Sequence, residues 1–239
     1  MTSPYVNAYL LHSRKYTDSR IIVELLTQDF GVISGVYRVK TRKKIAASLP
    51  NFAPLLVSVG KGHNLKTIYD IESSALGLPL VSNALFAAMY VNELLLRVLP
   101  KDDVNEGVYQ LYESVLAELN RLTHFSLADI EVPLRRFELK LLALLGYGLD
   151  FQCDTEGERI LPEMLYRCDV EFGFTPIAIN QNTGSVVKHQ YSGEHLQLIA
   201  ENNFSNSDVR KSAKLLTRML LQPLLGDKPL KSRELFARQ

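Results

Sequence analysis

Apolar and polar positions alternate through the first third of the chain. The apolar, β-branched run "IIVELLT" (21–27) is followed, after the turn residues Asp29 and Gly31, by "VISGVYRV" (32–39), a pattern typical of a β-hairpin. Further strand-like segments lie at residues 6–16, 54–60 and 65–73. Because a small sheet leaves unpaired edges, we expect these five strands to close into a barrel, or nearly so.

A helical spacing follows from residue 80. Residues 80–99 carry apolar side chains on most faces, which predicts a buried helix. Residues 103–122 predict an amphipathic second helix with Asp103 as its N-terminal cap. Residues 126–148 predict a third, in which Pro133 implies a late start or a kink. Short loops join the three helices, as in a bundle.

The last third of the chain is mixed. Residues 151–190 combine aromatic and β-branched side chains with turn residues, which predicts a hairpin or short strands. Residues 192–202 and 207–225 predict two more helices, the second capped by Ser207. The pattern as a whole predicts an α+β protein. Its predicted parts are a barrel (1–79), a helical domain (80–150), an irregular or β segment (151–190) and C-terminal helices (191–239).

The formal net charge of +1 hides a division along the chain. Residues 1–80 hold 10 Lys and Arg against 5 Asp and Glu, and residues 206–239 hold 8 against 3. Both segments between them are acidic, with 6 against 10 in residues 81–150 and 3 against 8 in residues 151–205. Two basic ends favour contact with a polyanion. Solvated surface charge that happens to segregate is the alternative.

The densest positive charge lies in the connection between the predicted third and fourth strands. Its cations are Arg38, Lys40, Arg42, Lys43 and Lys44. Tyr37 and Phe52 flank the connection, and other tyrosines lie in the same 80 residues. Cations along phosphates and aromatic faces for bases are how single-stranded nucleic acid is bound, so we predict a DNA-binding loop with little base readout. The alternative for the tyrosines is a place in the barrel core, which we favour over base stacking for most of them.

A second basic surface is predicted near the C-terminus. On the helix at 207–225, cations recur at helical spacing and continue onto the tail. We assign Arg210, Lys214, Arg218 and Lys231 to the DNA-binding surface, with a solvated helix face as the alternative.

The usual signatures of catalysis, cofactor binding and membrane insertion are missing from the sequence. It has no phosphate-binding loop, nucleophile elbow or zinc-protease motif, so we expect no enzymatic activity and no cofactor. Cys153 and Cys168 are the only cysteines, and each precedes an acid by three positions. Two such pairs fall short of a structural zinc site, so we expect no metal and reduced thiols. Without a membrane-length apolar run or a signal peptide, a cytoplasmic, nucleoid-associated location is expected.

Four separated motifs resemble the bacterial DNA recombination and repair family RecO, in its proteobacterial branch. They are the opening "YVNAYLLHSRKYTDSRIIVELLTQDFGVISGVYRVKTRKK", then "YVNELLLRVLP", "LRRFELKLLALLGYGLDF" and "RMLLQPLLGDKPLKSRELF". The resemblance covers nearly the whole chain. It implies an N-terminal OB-fold, a central helical domain and a C-terminal part that packs back on the helices. Many members carry a four-cysteine zinc module, but here Glu156 and Glu171 stand where the second cysteine of each pair would be.

The same resemblance implies partners. Family members are recombination mediators that bind single- and double-stranded DNA and anneal complementary strands. With RecR, they help load RecA onto strands coated with single-stranded-DNA-binding protein (SSB). They bind the acidic, Phe-terminated tail of SSB, for which we assign Arg135, Leu145 and Phe151 as the pocket. The alternative is that the arginines of this motif pair with Glu131 and Glu138 and that its leucines are core. No membrane partner is implied.

A different class of function remains open. A barrel of this kind also serves in protein-interaction adaptors that do not bind DNA. Affinity for DNA that falls linearly with the logarithm of salt concentration distinguishes the mediator from the adaptor. An enzyme of unrecognised type is a third alternative, which assays for nuclease, ATPase and helicase activity test.

Overall fold

The computed structural model describes residues 5–39, 49–62, 64–122, 126–177 and 189–237. Two compact units are present, one formed by residues 1–126 with 229–239 and the other by residues 127–228. No helix in these described ranges is both long enough and apolar enough to cross a membrane.

Five strands of the first unit form a closed barrel in the order β1-β2-β3-β5-β4. They are β1 (Tyr5–Lys15), β2 (Arg20–Thr27), β3 (Gly31–Arg38), β4 (Pro54–Val59) and β5 (Lys66–Ser73). All neighbours are antiparallel except β3 and β5, which run parallel, and this is the arrangement of an OB-fold. The predicted five-stranded barrel is confirmed. Alternate residues such as Val23, Ile33 and Val57 fill its interior, as the period of two requires.

Two helices of the first unit follow the barrel, α1 (Ser82–Val98) and α2 (Val108–Arg121). The predicted cap Asp103 is wrong, because α2 begins after Gly107, whose φ is 86°. Asp103 belongs instead to a segment that lies along β3, where the Asp102 N–H donates to the Val32 carbonyl at 2.9 Å. Gly31 permits this approach, since a Cβ there would lie 1.9 Å from the Asp103 carbonyl oxygen.

The second unit combines helices and a small sheet. Its elements are α3 (Leu127–Leu144), β6 (Leu165–Asp169), β7 (Gly173–Ile177), β8 (Gln190–Ser192), α4 (Gly193–Ala200) and α5 (Ser207–Leu225). The short strands pair in the order β7-β6-β8. Ser207 is not the cap of α5, because the Asn206 side chain accepts the Asp208 N–H at 2.8 Å. Pro133 and Pro223 lie inside their helices.

The helices predicted as one domain, residues 80–150, are divided between the units. α1 and α2 lie in the first, whereas α3 lies in the second and packs against α5. The C-terminal helix α6 (Arg233–Ala237) returns to the first unit, where it packs against α1. Hydrophobic periodicity tells which face of a helix is buried, but it does not tell which element covers that face.

Candidate nucleic-acid interface

Three arginines share the outer face of the barrel at one end. Arg20 on β2 is directly opposite Arg38 on β3, and Arg14 on β1 is opposite Ile22. Paired residues of neighbouring strands lie on the same face, as do Arg20 and Ile22, which are two apart on β2. The interior face carries Ile21, Val23 and Tyr37 instead. We call Arg14, Arg20 and Arg38, all of them exposed, the arginine face.

The local charge of this face is not cancelled by its neighbours. Within the described ranges none of the three arginines forms an ion pair, whereas nearby acids already have partners. Asp18 pairs with Lys15 at 2.8 Å, and the hydrogen bond and charge of that lysine lower the pKa of Asp18. Glu24 pairs with Lys101 at 3.2 Å and accepts the Ser34 hydroxyl at 2.6 Å. A positive potential therefore remains at this end of the barrel.

Exposed aromatic rings lie at the two loops that flank this face. Tyr16, in the β1–β2 connection, is 55% exposed, and Tyr69 on β5 is 59% exposed. The Tyr69 ring packs over Gly60, next to the exposed Lys61 of the β4–β5 connection. In OB-folds the β2–β3 face and these two loops form the oligonucleotide-binding surface. Tyr9 and Tyr37 are buried, and Tyr37 belongs to the barrel core. The expectation that most tyrosines of this part are core is wrong, because Tyr5, Tyr16 and Tyr69 are exposed.

The basic loop predicted from the sequence continues from Arg38. Its cations Lys40, Arg42, Lys43 and Lys44 lie outside the described residues. The pattern alone did not identify Arg14 and Arg20. Only the strand register, which sets Arg14 opposite Ile22 and Arg20 opposite Arg38, brings both onto the outer face.

The cations assigned on α5 are mostly engaged within the second unit. Lys214 forms an ion pair with Glu131. Arg210 donates to the carbonyl oxygens of Phe204 and Ser205 at 2.7 and 2.9 Å. Arg218 is exposed, and Lys231 is exposed in the first unit. The helical spacing was correct, but intramolecular partners take up much of the charge that it predicted.

Arg135 lies in the core of the second unit and not at its surface. It is 5% exposed, pairs with Glu138 at 2.7 Å and donates to the Thr217 hydroxyl at 3.2 Å. Of the two interpretations of this motif, the one in which an arginine pairs with Glu138 matches the contacts of Arg135. Leu145, just after α3, is half-buried, and the Phe151 ring packs on Phe174 with centroids 5.4 Å apart. A guanidinium that is buried and paired does not offer its charge to a ligand carboxylate.

The second unit has a cavity of about 900 Å³ between α5 and the residues around β8. Leu215, Met219 and Tyr191 give it apolar walls, and Arg218, Gln222 and Asp227 are among its polar lining residues. Leu215 is 60% exposed. Arg218 was predicted as part of the DNA-binding surface and not of this cavity. Leu215 and Met219 were not predicted, because they look like ordinary members of the buried stripe of α5. This cavity joins an apolar surface to a cation, the two features that a Phe-terminated acidic tail requires.

Cys153 and Cys168 are free thiols, half-buried and buried respectively. Burial, with a contribution from the Asp169 charge, raises the pKa of Cys168 to about 12. Among the residues that the structure describes, no three His, Cys, Asp or Glu side chains come together as metal ligands do.

Comparison with known proteins decides the family. The profile of "Recombination protein O N terminal" matches residues 1–76, and that of "Recombination protein O C terminal" matches residues 82–234. The chain belongs to the RecO family.

Curated relatives agree with this assignment over almost the full length. The DNA repair protein RecO of Pseudoalteromonas translucida (strain TAC 125) is 39% identical over 99% of this chain and 99% of its own length. That of Cellvibrio japonicus (strain Ueda107) is 40% identical, with 96% of this chain and 94% of that protein covered. RecO of Vibrio cholerae (strain ATCC 39315) is 36% identical over 99% of this chain and 95% of its own length. Sequence resemblance to the RecO family is thereby confirmed.

Proposed function

We propose that this RecO-family chain is a DNA-binding recombination mediator in DNA repair. It binds single- and double-stranded DNA, anneals complementary strands and, with RecR, helps load RecA onto SSB-coated strands. The arginine face of the barrel is the observation that carries the proposal. The relatives named as DNA repair proteins support the same setting. None of these steps requires a catalytic group on this chain.

DNA binding follows from the charge and shape of the barrel end. Arg14, Arg20 and Arg38 meet phosphates, while Tyr16 and Tyr69 present ring faces on which unstacked bases can stack. Contacts to phosphates carry no sequence information, which suits a mediator that acts wherever single strands arise. Neutralising two backbones at once also lowers the repulsion between complementary strands, so the same surface favours annealing.

Salt dependence tests the proposal. A labelled single-stranded oligonucleotide is titrated with the wild-type chain and with the triple variant Arg14→Gln, Arg20→Gln, Arg38→Gln at several salt concentrations. Each phosphate contact on a single strand contributes about 0.7 to the slope of log affinity against log salt, so the slope should fall by about 2 in the variant. An unchanged slope contradicts the proposal, and affinity that is weak and insensitive to salt in both proteins favours the adaptor alternative.

We propose the cavity beside Arg218 as the binding site of the SSB tail. Its terminal ring would lie against Leu215 and Met219, and its carboxylates would meet Arg218. Arg218→Glu should weaken a Phe-terminated acidic peptide at least tenfold in fluorescence anisotropy, while affinity for naked DNA stays within about twofold. Arg159→Glu, an exposed arginine of the same unit that does not line the cavity, is the matched control. Equal loss in both variants would mean that only general charge matters.

A further inference from the structure

The residue 127–228 unit has a second concave surface, in addition to the cavity beside Arg218. The charged side chains that line it within the described ranges are acidic. The turn after α3, the Cys153–Asp154 loop and the β6–β7 turn enclose about 610 Å³. Tyr147 on one wall is 46% exposed, and Phe172 on another is 75% exposed. Phe174 and Leu149 also line this surface, which we call the acidic cleft. Exposed aromatic rings above an apolar lining are typical of a protein-binding surface.

Hydrogen bonds hold the Phe172 wall in place. Phe172 stands at the tip of the β6–β7 turn, where the Asp169 carboxylate accepts the N–H groups of Glu171 and Phe172 at 2.9 and 3.3 Å. Gly173 completes the turn with φ 93°. The exposed ring therefore stands on a backbone that is fixed before any partner arrives.

The Tyr147 wall is fixed in a similar way. Gly146 ends α3 with φ 83°, and the Tyr147 N–H donates to the Leu142 carbonyl at 2.8 Å, which is a helix C-terminal motif. The Asp154 carboxylate accepts N–H groups of the loop beside it at 2.9 and 3.1 Å. A preorganised surface loses little entropy when it binds.

Three carboxylates line the cleft, and among the described residues no lysine or arginine does so. They belong to Asp150, Asp154 and Glu171, and none of them forms an ion pair within the described ranges. The surrounding residues 151–205 hold 8 acids against 3 bases. An acidic peptide is therefore repelled here, whereas a basic one is attracted.

We propose that the acidic cleft docks a segment of a partner protein in which lysine or arginine flanks a large apolar side chain. The apolar side chain enters between Tyr147 and Phe172, and the flanking cations meet Asp150, Asp154 and Glu171. The apolar contact supplies affinity, and the charges select against acidic segments. This proposal does not depend on DNA binding by the barrel.

The test uses a defined probe and the full chain. A fluorescent seven-residue peptide with a central phenylalanine between two pairs of lysines is titrated at low salt. A peptide with glycine in place of the phenylalanine has the same charge and serves as its match. We expect the phenylalanine peptide to bind at least fivefold more tightly, and its affinity to fall at least fivefold on Phe172→Ser and on Glu171→Gln.

Matched variants outside the cleft separate this site from general surface effects. Leu161→Ser removes another exposed apolar side chain, and Glu163→Gln removes another exposed carboxylate of the same unit. Both should bind the phenylalanine peptide as the wild type does. Amide chemical shifts of Tyr147 and Phe172 should move during the titration.

Three outcomes would overturn the proposal. They are equal affinity for the two peptides, unchanged affinity in Phe172→Ser, and tighter binding of a matched acidic peptide. Phe172 and Glu171 are exposed, so both variants should keep the wild-type unfolding midpoint. They should also keep its salt slope for DNA, which separates failure of this proposal from failure of the DNA-binding one.

Discussion

Asn92 is a polar residue that is only 8% exposed, and its buried side-chain amide is hydrogen-bonded on both sides. Its Nδ2 donates to the Leu11 carbonyl of β1 at 3.0 Å, and its Oδ1 accepts the Tyr112 hydroxyl of α2 at 2.7 Å. One side chain of α1 thus links the barrel to the next helix. Sequence periodicity placed Asn92 on an apolar stripe, where a buried amide requires partners. The partners themselves are not visible in the pattern.

Tyr112→Phe should therefore destabilise the first unit. The substitution keeps the ring, which lies against Tyr9 with centroids 5.0 Å apart, but leaves the Asn92 oxygen without its donor. Loss of a buried partner costs about 1–3 kcal/mol, which urea unfolding measures. Tyr109→Phe is the control, since Tyr109 packs on the same Tyr9 ring and its hydroxyl has no hydrogen-bond partner among the described residues. Equal destabilisation of both variants would assign the effect to ring environment and not to the Asn92 hydrogen bond.

Arg135 illustrates the limit of sequence analysis at the residue scale. It belongs to the pair of adjacent arginines on α3, so charge density predicts an exposed site for a carboxylate. The structure buries it with Glu138, three residues along the same helix face. The sequence contains both partners, and the choice between them depends on α5, which covers that face through Thr217. The packing of α5 on α3 thus decides that Arg135 is buried, which the local sequence pattern does not tell.

At the scale of elements, Glu93 holds α6 and the segment before it against α1. Its carboxylate accepts the N–H groups of Lys231 and Ser232 at 2.9 and 2.8 Å and the Ser232 hydroxyl at 2.6 Å. Nearby, Phe86 meets Phe236 edge to face with centroids 6.2 Å apart. Burial by itself would raise the pKa of Glu93. The hydrogen bonds from Ser232 and Lys231, with the charge of Arg97, outweigh it and lower that pKa.

This pKa gives the docking of α6 a defined pH dependence. A carboxyl whose folded pKa lies below its unfolded value of 4.5 stabilises the fold fully above that value, and the contribution disappears as pH falls through the lower pKa. Glu93→Gln should cost about 1–2 kcal/mol at pH 7 and progressively less as pH falls below 4.5. Unfolding curves and hydrogen exchange at Ser232 measure this. Glu106→Gln, at an exposed acid of the same unit, should show no such difference, and a cost for Glu93→Gln that does not vary with pH contradicts the assignment.

The α3–α5 pair depends on the buried ion pair in another way. Arg135→Ala removes the guanidinium that pairs with Glu138 at 2.7 Å. Because Glu138 is 1% exposed, this should cost about 3–5 kcal/mol of unfolding free energy. The double variant Arg135→Met, Glu138→Met removes both charges and should recover most of that stability. Thermal unfolding compares them. If Arg135→Ala instead kept wild-type stability and failed only to bind the acidic peptide, the tail-binding role first assigned to Arg135 would be restored.

Over the whole molecule, the sequence determines the elements better than it determines their partners. The apolar, β-branched run at 21–27, the turn residues Asp29 and Gly31 and the strand-like residues 32–39 predicted the β2–β3 hairpin. The cap of α2 was missed because Lys101 and Asp102 pair with Val32 of β3, so that the helix begins only after Gly107. Likewise, the basic ends of the chain predicted a polyanion surface, but strand register was needed to add Arg14 and Arg20 to it.

Whether both basic ends act on DNA is the remaining question at this scale, and the structure favours the barrel. Lys214 is paired with Glu131 and Arg210 with backbone oxygens, whereas the arginine face has no acidic partner in the described ranges. The variant Lys214→Gln, Lys231→Gln should therefore change the salt slope for single-stranded DNA by less than about 0.5.

The triple variant Arg42→Ala, Lys43→Ala, Lys44→Ala should lower the same slope by about 2, at about 0.7 for each phosphate that is no longer neutralised. We expect both variants to unfold within about 1 kcal/mol of the wild type, because ion pairs that remain in contact with solvent contribute little to stability. An equal fall of the slope in the two variants would contradict this expectation and assign the C-terminal cations to the DNA surface. A residue held by an internal partner contributes to salt dependence only when DNA displaces that partner.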